Sequence, residues 1–196
     1  MPATGTGQRL LDSATEAFAA KGFHGTTTRD IATAAGVTPG AVYVHHRSKE
    51  ELLFSISLHG HERTLALVRS GAASSSDPVQ QIETMVRDFV QWQAANRTKS
   101  SVVNFELAAL TEDHRAEVLK IRRAVDAEFR AVVDRGRQEG RFDVEDTGLA
   151  VLALLSLCVD VARWYRGDGR LTAAGIGLHH SRLALRMLGA VPAQSS

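Results

Sequence analysis

Residues 26–49 read Thr-Thr-Thr-Arg-Asp-Ile-Ala-Thr-Ala-Ala-Gly-Val-Thr-Pro-Gly-Ala-Val-Tyr-Val-His-His-Arg-Ser-Lys, and their punctuation decides the fold. Thr27, with Asp30 three residues on, forms a capping box for one short helix. Gly36, just past Ala34-Ala35, supplies the left-handed residue that stops it. Thr38 is then placed to cap a second helix, with Pro39 at its first position, where a missing amide costs nothing. Ser48-Lys49-Glu50-Glu51 repeats the capping signature for a third, longer helix. The spacing leaves about two turns for the middle helix. Its N-terminal face, Thr38, Pro39, Gly40 and Ala41, is small enough to enter a major groove.

Outward from this stretch the chain reads as all-α, with no sustained alternation that would suggest strands. A helix over about 8–21 places Leu11, Ala14, Ala17 and Phe18 on one face before Gly22 ends it. A long helix from Lys49 to about Arg69 precedes a connector of Gly, Ala and Ser, and Asp77-Pro78 opens the next helix, with Met85, Phe89 and Trp92 on its apolar face. Two helices are expected over 101–110 and 114–138, with Gly140 as the stop. Residues 146–166 are apolar nearly all round and must be covered on more than one side, with 172–189 as the expected partner. About nine helices result, divided into an N-terminal helix-turn-helix domain, 1–50, and a C-terminal helical domain for ligand binding and dimerisation, 51–196. The apolar C-terminal pair predicts a homodimer, whose symmetry would match half-sites about 34 Å apart.

Composition narrows the function. The chain carries 23 Lys+Arg against 22 Asp+Glu, and within residues 1–60 five basic side chains meet five acidic ones. Phosphate contact must therefore come from local placement of charge and from helix N-termini, with a modest salt dependence. A single cysteine, Cys158, excludes an intramolecular disulfide and a cysteine zinc site. His45, His46, His59 and His61 lack a carboxylate or cysteine to complete a ligand set, so neither a metal nor a cofactor is expected. No stretch of 18 apolar residues is free of charge, and nothing after Met1-Pro2-Ala3-Thr4 reads as a signal peptide, so the expected location is cytoplasmic with no membrane partner. No phosphate-binding glycine loop or nucleophile–base spacing argues for an enzyme.

The motifs Arg9-Leu10-Leu11 to Phe18, Lys21-Gly22-Phe23, Thr26 to Ala35, Gly36 to Gly40, Tyr43 and Ser48 to Leu53 together resemble the N-terminal domain of TetR-family transcriptional regulators. The resemblance covers roughly residues 8–60 and implies a regulator that binds a double-stranded DNA operator as a dimer and responds to a small-molecule effector. On the matching positions it implies phosphate contacts from Tyr43 and Lys49, with Thr26 and Thr27 opening the motif's first helix near the backbone and His45 beside a phosphate. Base reading falls to Thr38, Pro39 and Gly40, with Arg29 and Val44, favouring contact with thymine methyl groups over bidentate guanine recognition, and Ala41 completes the DNA-binding face. His46 and Arg47 depart from the family pattern, which usually has an aromatic and often a proline there. The bland alternatives are Tyr43 as a core aromatic and Lys49 as a solvated lysine.

Asn104-Phe105-Glu106-Leu107, Ile121-Arg122, Arg163 to Arg166 and Gly167 to Thr172 look like segments of a TetR subgroup that responds to acyl-coenzyme A thioesters. Arginine outnumbers lysine 19 to 4. Arg122, Arg163 and Arg166 could hold the coenzyme's phosphates, while Phe89, Trp92, Phe105 and Trp164 wall an acyl chain. The ordinary alternative pairs these arginines with Glu106 or Asp160 and puts the aromatics in a bundle core. The resulting expectation is a repressor released by an acyl-coenzyme A thioester, with a drug-responsive repressor of the same fold as the alternative.

Overall fold

The computed structural model describes residues 5–167 and 169–190. Among them the elements are α1 (Thr6–Gly25), α2 (Thr28–Ala34), α3 (Pro39–His45), α4 (Lys49–Ala72), α5 (Pro78–Ala95), α6 (Arg97–Phe105), a 3-10 turn (Leu107–Ala109), α7 (Glu112–Gln138), α8 (Thr147–Trp164) and α9 (Ala173–Met187). The described chain is all-α, with the nine helices expected.

Local chemistry explains the boundaries. Gly22 adopts φ 70°, ψ 168° and breaks α1, but helical bonding resumes for one turn to Gly25, past the expected stop. The Thr26 hydroxyl closes that break by donating to the Gly22 and Ala17 carbonyls at 2.9 and 3.1 Å. Thr27 and Asp30 make the expected capping box, and Gly36, at φ 66°, ends α2 in the left-handed region. Asp77, Asp146 and Thr172 cap α5, α8 and α9 by accepting from backbone amides at 3.1, 2.9 and 3.0 Å.

Three expectations need correcting. Thr38 occupies the N-cap position of α3, yet its hydroxyl makes no capping bond. The Ala41 amide bonds instead to the Thr38 carbonyl at 3.0 Å and Pro39 has no amide to offer, so the hydroxyl is left to the surface. The helix expected over 101–110 is α6, which begins at Arg97, with Ser100 buried beside Val102 and Val103, and it gives way to the 3-10 turn after Phe105. A polar run hid its first turn. Finally, α9 takes α5 as its chief partner rather than α8. Gly177 permits this, because a Cβ there would lie 2.6 Å from the Arg87 carbonyl oxygen on α5.

By packing, the chain divides into two compact units. The first comprises residues up to His61 together with Thr98–Lys120, and the second comprises Glu62–Arg97 and the residues from Ile121 onward. Residue 50 lies in the first turn of α4, inside the first of these units. In the first unit Leu10, Phe18, Ile31, Val42, Leu52 and Leu53 form a core that also takes Val102, Val103, Leu110 and Val118 from the middle of the chain. The second is centred on Met85, Phe89, Phe129, Val133, Leu154 and Ile176. Helix α8 is long and apolar enough to cross a membrane by length and composition, but Val151, Leu154, Cys158 and Val161 lie in the second unit's core. In the single chain Leu149 and Leu152 remain 65% and 59% exposed, so one face of α8 has no cover there.

Candidate DNA-reading and effector sites

Helix α3 is anchored by Val42, fully buried in the first unit's core, and turns the rest of its surface outward. Thr38, Pro39, Gly40, Tyr43, Val44 and His45 are exposed and Ala41 is half-buried. At 80% exposure Val44 projects almost without cover, and Tyr43 is 54% exposed. Small, apolar and hydroxyl-bearing groups therefore crowd one short helix, which suits contact with thymine methyl groups and phosphate oxygens rather than bidentate guanine recognition. The Tyr43 hydroxyl lies 3.4 Å from that of Thr28, tying α3 to the start of α2. Arg29 is exposed on α2, and Thr27 is exposed in the cap before it.

Two of the expected contacts are placed differently. Thr26 is 1% exposed with its hydroxyl engaged inside the unit, so that group is not offered to a ligand. The Lys49 ammonium donates to the Phe23 and Thr26 carbonyls at 2.7 and 2.6 Å and sits 4.1 Å from the Phe23 ring centroid. Two of its three donors thus hold the α1–α2 junction together. Glu51 accepts from the Arg47 amide, and its own amide bonds the Ser48 hydroxyl at 3.0 Å, which closes the α3–α4 loop. Beside it burial lowers the His46 pKa, only partly opposed by Glu51, and favours the neutral imidazole. That half-buried ring is how this chain fills the place where the family pattern has an aromatic.

The seven effector candidates fall in different places. Phe105, at the end of α6, belongs to the first unit, and the other six belong to the second. Phe89 is part of the packing core, and Trp92 is half-buried one turn further along α5. Arg163, Trp164 and Arg166 lie together at the end of α8. There Arg163 pairs with Asp160 at 3.4 Å, Arg166 donates to the Arg163 carbonyl at 2.8 Å, and Trp164 stacks on His180 at 6.1 Å between centroids. The exposed Arg163–Asp160 pair is the ordinary alternative, and its contribution is small.

Arg122 stands apart. It is half-buried on α7, burial lowers its pKa, and among the described residues it has no hydrogen-bond or ion-pair partner. Sequence reasoning missed a second such group, Arg97, whose Nε is buried without a hydrogen bond. Nothing in its local sequence distinguishes it from a solvated arginine. Among the described residues no group of three or more His, Cys, Asp or Glu side chains could hold a metal ion. Burial pushes the Cys158 thiol up to about 12, which leaves it unreactive.

Residues 10–56 match the family described as bacterial regulatory proteins, tetR family, and residues 75–188 match the tetracyclin repressor-like C-terminal domain. The chain belongs to the TetR family. It is a transcriptional regulator that binds DNA, and not an enzyme. Regulators of this family bind operator DNA, form dimers and bind small-molecule effectors. The chain is 28% identical over 187 residues to the transcriptional repressor KstR2 of Rhodococcus jostii RHA1, covering 93% of this chain and 90% of that one. A solved structure of a tetR-family regulatory protein from Rhodococcus RHA1 is 35% identical, with TM-score 0.91 over 96% of this chain and 100% of that one. The fold is also that of AibR, solved with isovaleryl coenzyme A and operator DNA, at 21% identity and TM-score 0.84 over 95% and 100% of the two chains.

Proposed function

We propose that this TetR-family regulator is a homodimeric repressor that grips a near-palindromic operator through α3 of each copy and releases it when an acyl-coenzyme A thioester binds the second unit. The observation that carries the effector class is Arg122. A half-buried guanidinium without a counter-ion is costly in the free protein, and an anionic ligand removes that cost. The orphan Nε of Arg97 adds to the same demand, and a thioester offers several phosphates together with an apolar chain. Similarity to KstR2, named a repressor, supports the sign of regulation, and AibR supports the compatibility of this fold with a coenzyme A thioester.

On this reading Thr38, Pro39, Gly40, Ala41 and Val44 meet base edges, and Tyr43, Thr27, Arg29 and His45 meet the backbone, with Lys49 and Thr26 shaping the surface from behind. The exposed leucines of α8 pack against the second copy. Such a protein works in the cytoplasm, where the DNA is. Because linkage is reciprocal, operator weakens effector binding by the factor by which effector weakens operator binding.

Thermal unfolding across acyl-coenzyme A thioesters of graded length, free coenzyme A, free fatty acids and hydrophobic drugs tests the effector. Stabilisation is expected with thioesters of one size, and it should vanish in Arg122→Met. Stabilisation by uncharged drugs alone would overturn the thioester reading and leave the operator reading standing.

A further inference from the structure

The start of α4 joins three parts of the first unit through three successive residues. Lys49 holds the α1–α2 junction, Glu51 closes the loop after α3, and Glu50 reaches to α7, more than 60 residues further along the chain. Both Glu50 carboxylate oxygens lie 2.9 and 3.0 Å from His114 Nδ1, and one of them accepts the Thr111 amide at 2.9 Å. An ionised carboxylate only accepts, so Nδ1 carries the proton. The imidazole lies flat on Phe54 of α4, 3.8 Å between centroids and 6° between planes. Stacking fixes the ring plane while the carboxylate fixes its rotation. A second tie lies close by, where Glu106 accepts the Phe23 amide at 3.4 Å.

Helices α4 and α7 are the two that begin in the first unit and continue into the second. The Glu50–His114 contact joins them within the first turn of each. Rotation of the first turn of α4 would carry with it the Lys49 and Glu51 contacts that set the α1–α2 junction and the exit of α3, and so would re-aim the outward face of α3.

We infer that Glu50 and His114 are a positioning pair for operator binding: their contact holds the first turns of α4 and α7 together in the arrangement that presents α3 to DNA. Neither residue touches DNA in this account. The inference rests on the operator reading above and adds to it a dependence on residues 98–120, which lie outside the helix-turn-helix sequence.

The test begins with a duplex that the native protein enriches from a random-sequence pool, and reads affinity for it at fixed salt and 25 °C alongside helicity and Tm. His114→Phe keeps the stack on Phe54 and removes the donor, whereas His114→Asn keeps an amide donor near the place of Nδ1 and removes the stack. Loss of a charge-assisted hydrogen bond predicts about a tenfold drop in affinity for His114→Phe and for Glu50→Met, with His114→Asn within about threefold of native. The double variant Glu50→Met/His114→Phe should lose no more than the worse single variant. Native-like operator affinity in a folded His114→Phe protein overturns the pair's role. If His114→Phe does not fold, Glu50→Met decides by the same criterion. A native protein that enriches no duplex would instead remove the operator reading, and the pair's role with it.

Discussion

The two units differ in the partly buried charge they leave unmatched, although the second also holds ion pairs such as Arg69–Glu128 and Arg163–Asp160. In the first, the polar groups of the helix-turn-helix and its surroundings are engaged inside the unit: Thr26 and Lys49 satisfy carbonyls at the end of α1, Thr27 and Asp30 satisfy each other, and Glu50, Glu51 and Glu106 accept from amides. What reaches the surface on α3 is small, apolar or hydroxylic, apart from the His45 imidazole at its end. In the second unit Arg122 is half-buried with no partner among the described residues, and the Nε of Arg97 is buried without one. A surface that meets a preformed duplex gains from a fixed shape, so its charges serve best as internal ties. On the proposed function, a unit that waits for an anionic ligand can leave a cation unmatched until the ligand arrives.

Three substitutions or conditions would break or sharpen that contrast, taken from the largest expected effect downward. Lys49→Met should lower stability by about 2 kcal/mol, since it frees the Phe23 and Thr26 carbonyls and removes the cation from the Phe23 ring. Urea midpoints at constant salt check it, and unchanged stability with weakened operator binding would make Lys49 a phosphate contact only. Arg122→Met should go the other way without ligand, raising stability by up to about 1 kcal/mol, because an unmatched, partly desolvated charge is replaced by an apolar chain. A loss of stability would mean that Arg122 has a structural partner.

The smallest effect concerns pH. Burial lowers the pKa of His46 in the first unit and of His180 in the second from their usual 6.5. Between the lowered folded value and 6.5 the unfolded chain binds protons that the folded chain does not, so stability rises with pH across that window. This contribution is fully present above about pH 6.5 and is lost as pH falls through the folded values. Tm should therefore hold from pH 8 to about 6.5 and drop by a few degrees toward pH 5. His180→Gln should remove part of that drop, and a Tm that rises on acidification would contradict the burial of both rings.

Much of the helix-turn-helix was legible because its signals are local. A capping box, a left-handed glycine and a proline at the first helical position act within four residues, and all three stand where Thr27–Asp30, Gly36 and Pro39 placed them. The Thr38 cap failed for an equally local reason, since the Ala41 amide found a backbone carbonyl first. The effector candidates were harder, because Phe89 as core and Trp164 stacked on a histidine have the composition of a pocket wall without its arrangement.

The sequence by itself determined that this chain is all-helical, that a helix-turn-helix opens it and that it belongs among TetR-family regulators, because caps, glycines and apolar periodicity are short-range instructions. Tertiary structure alone decided that residues 98–120 complete the first unit's core, that His114 meets Glu50, that Lys49 faces inward and that α9 lies on α5. Each of these depends on side chains far apart in sequence meeting across packed helices, and neither periodicity nor a cap carries information about which partner a buried face will find.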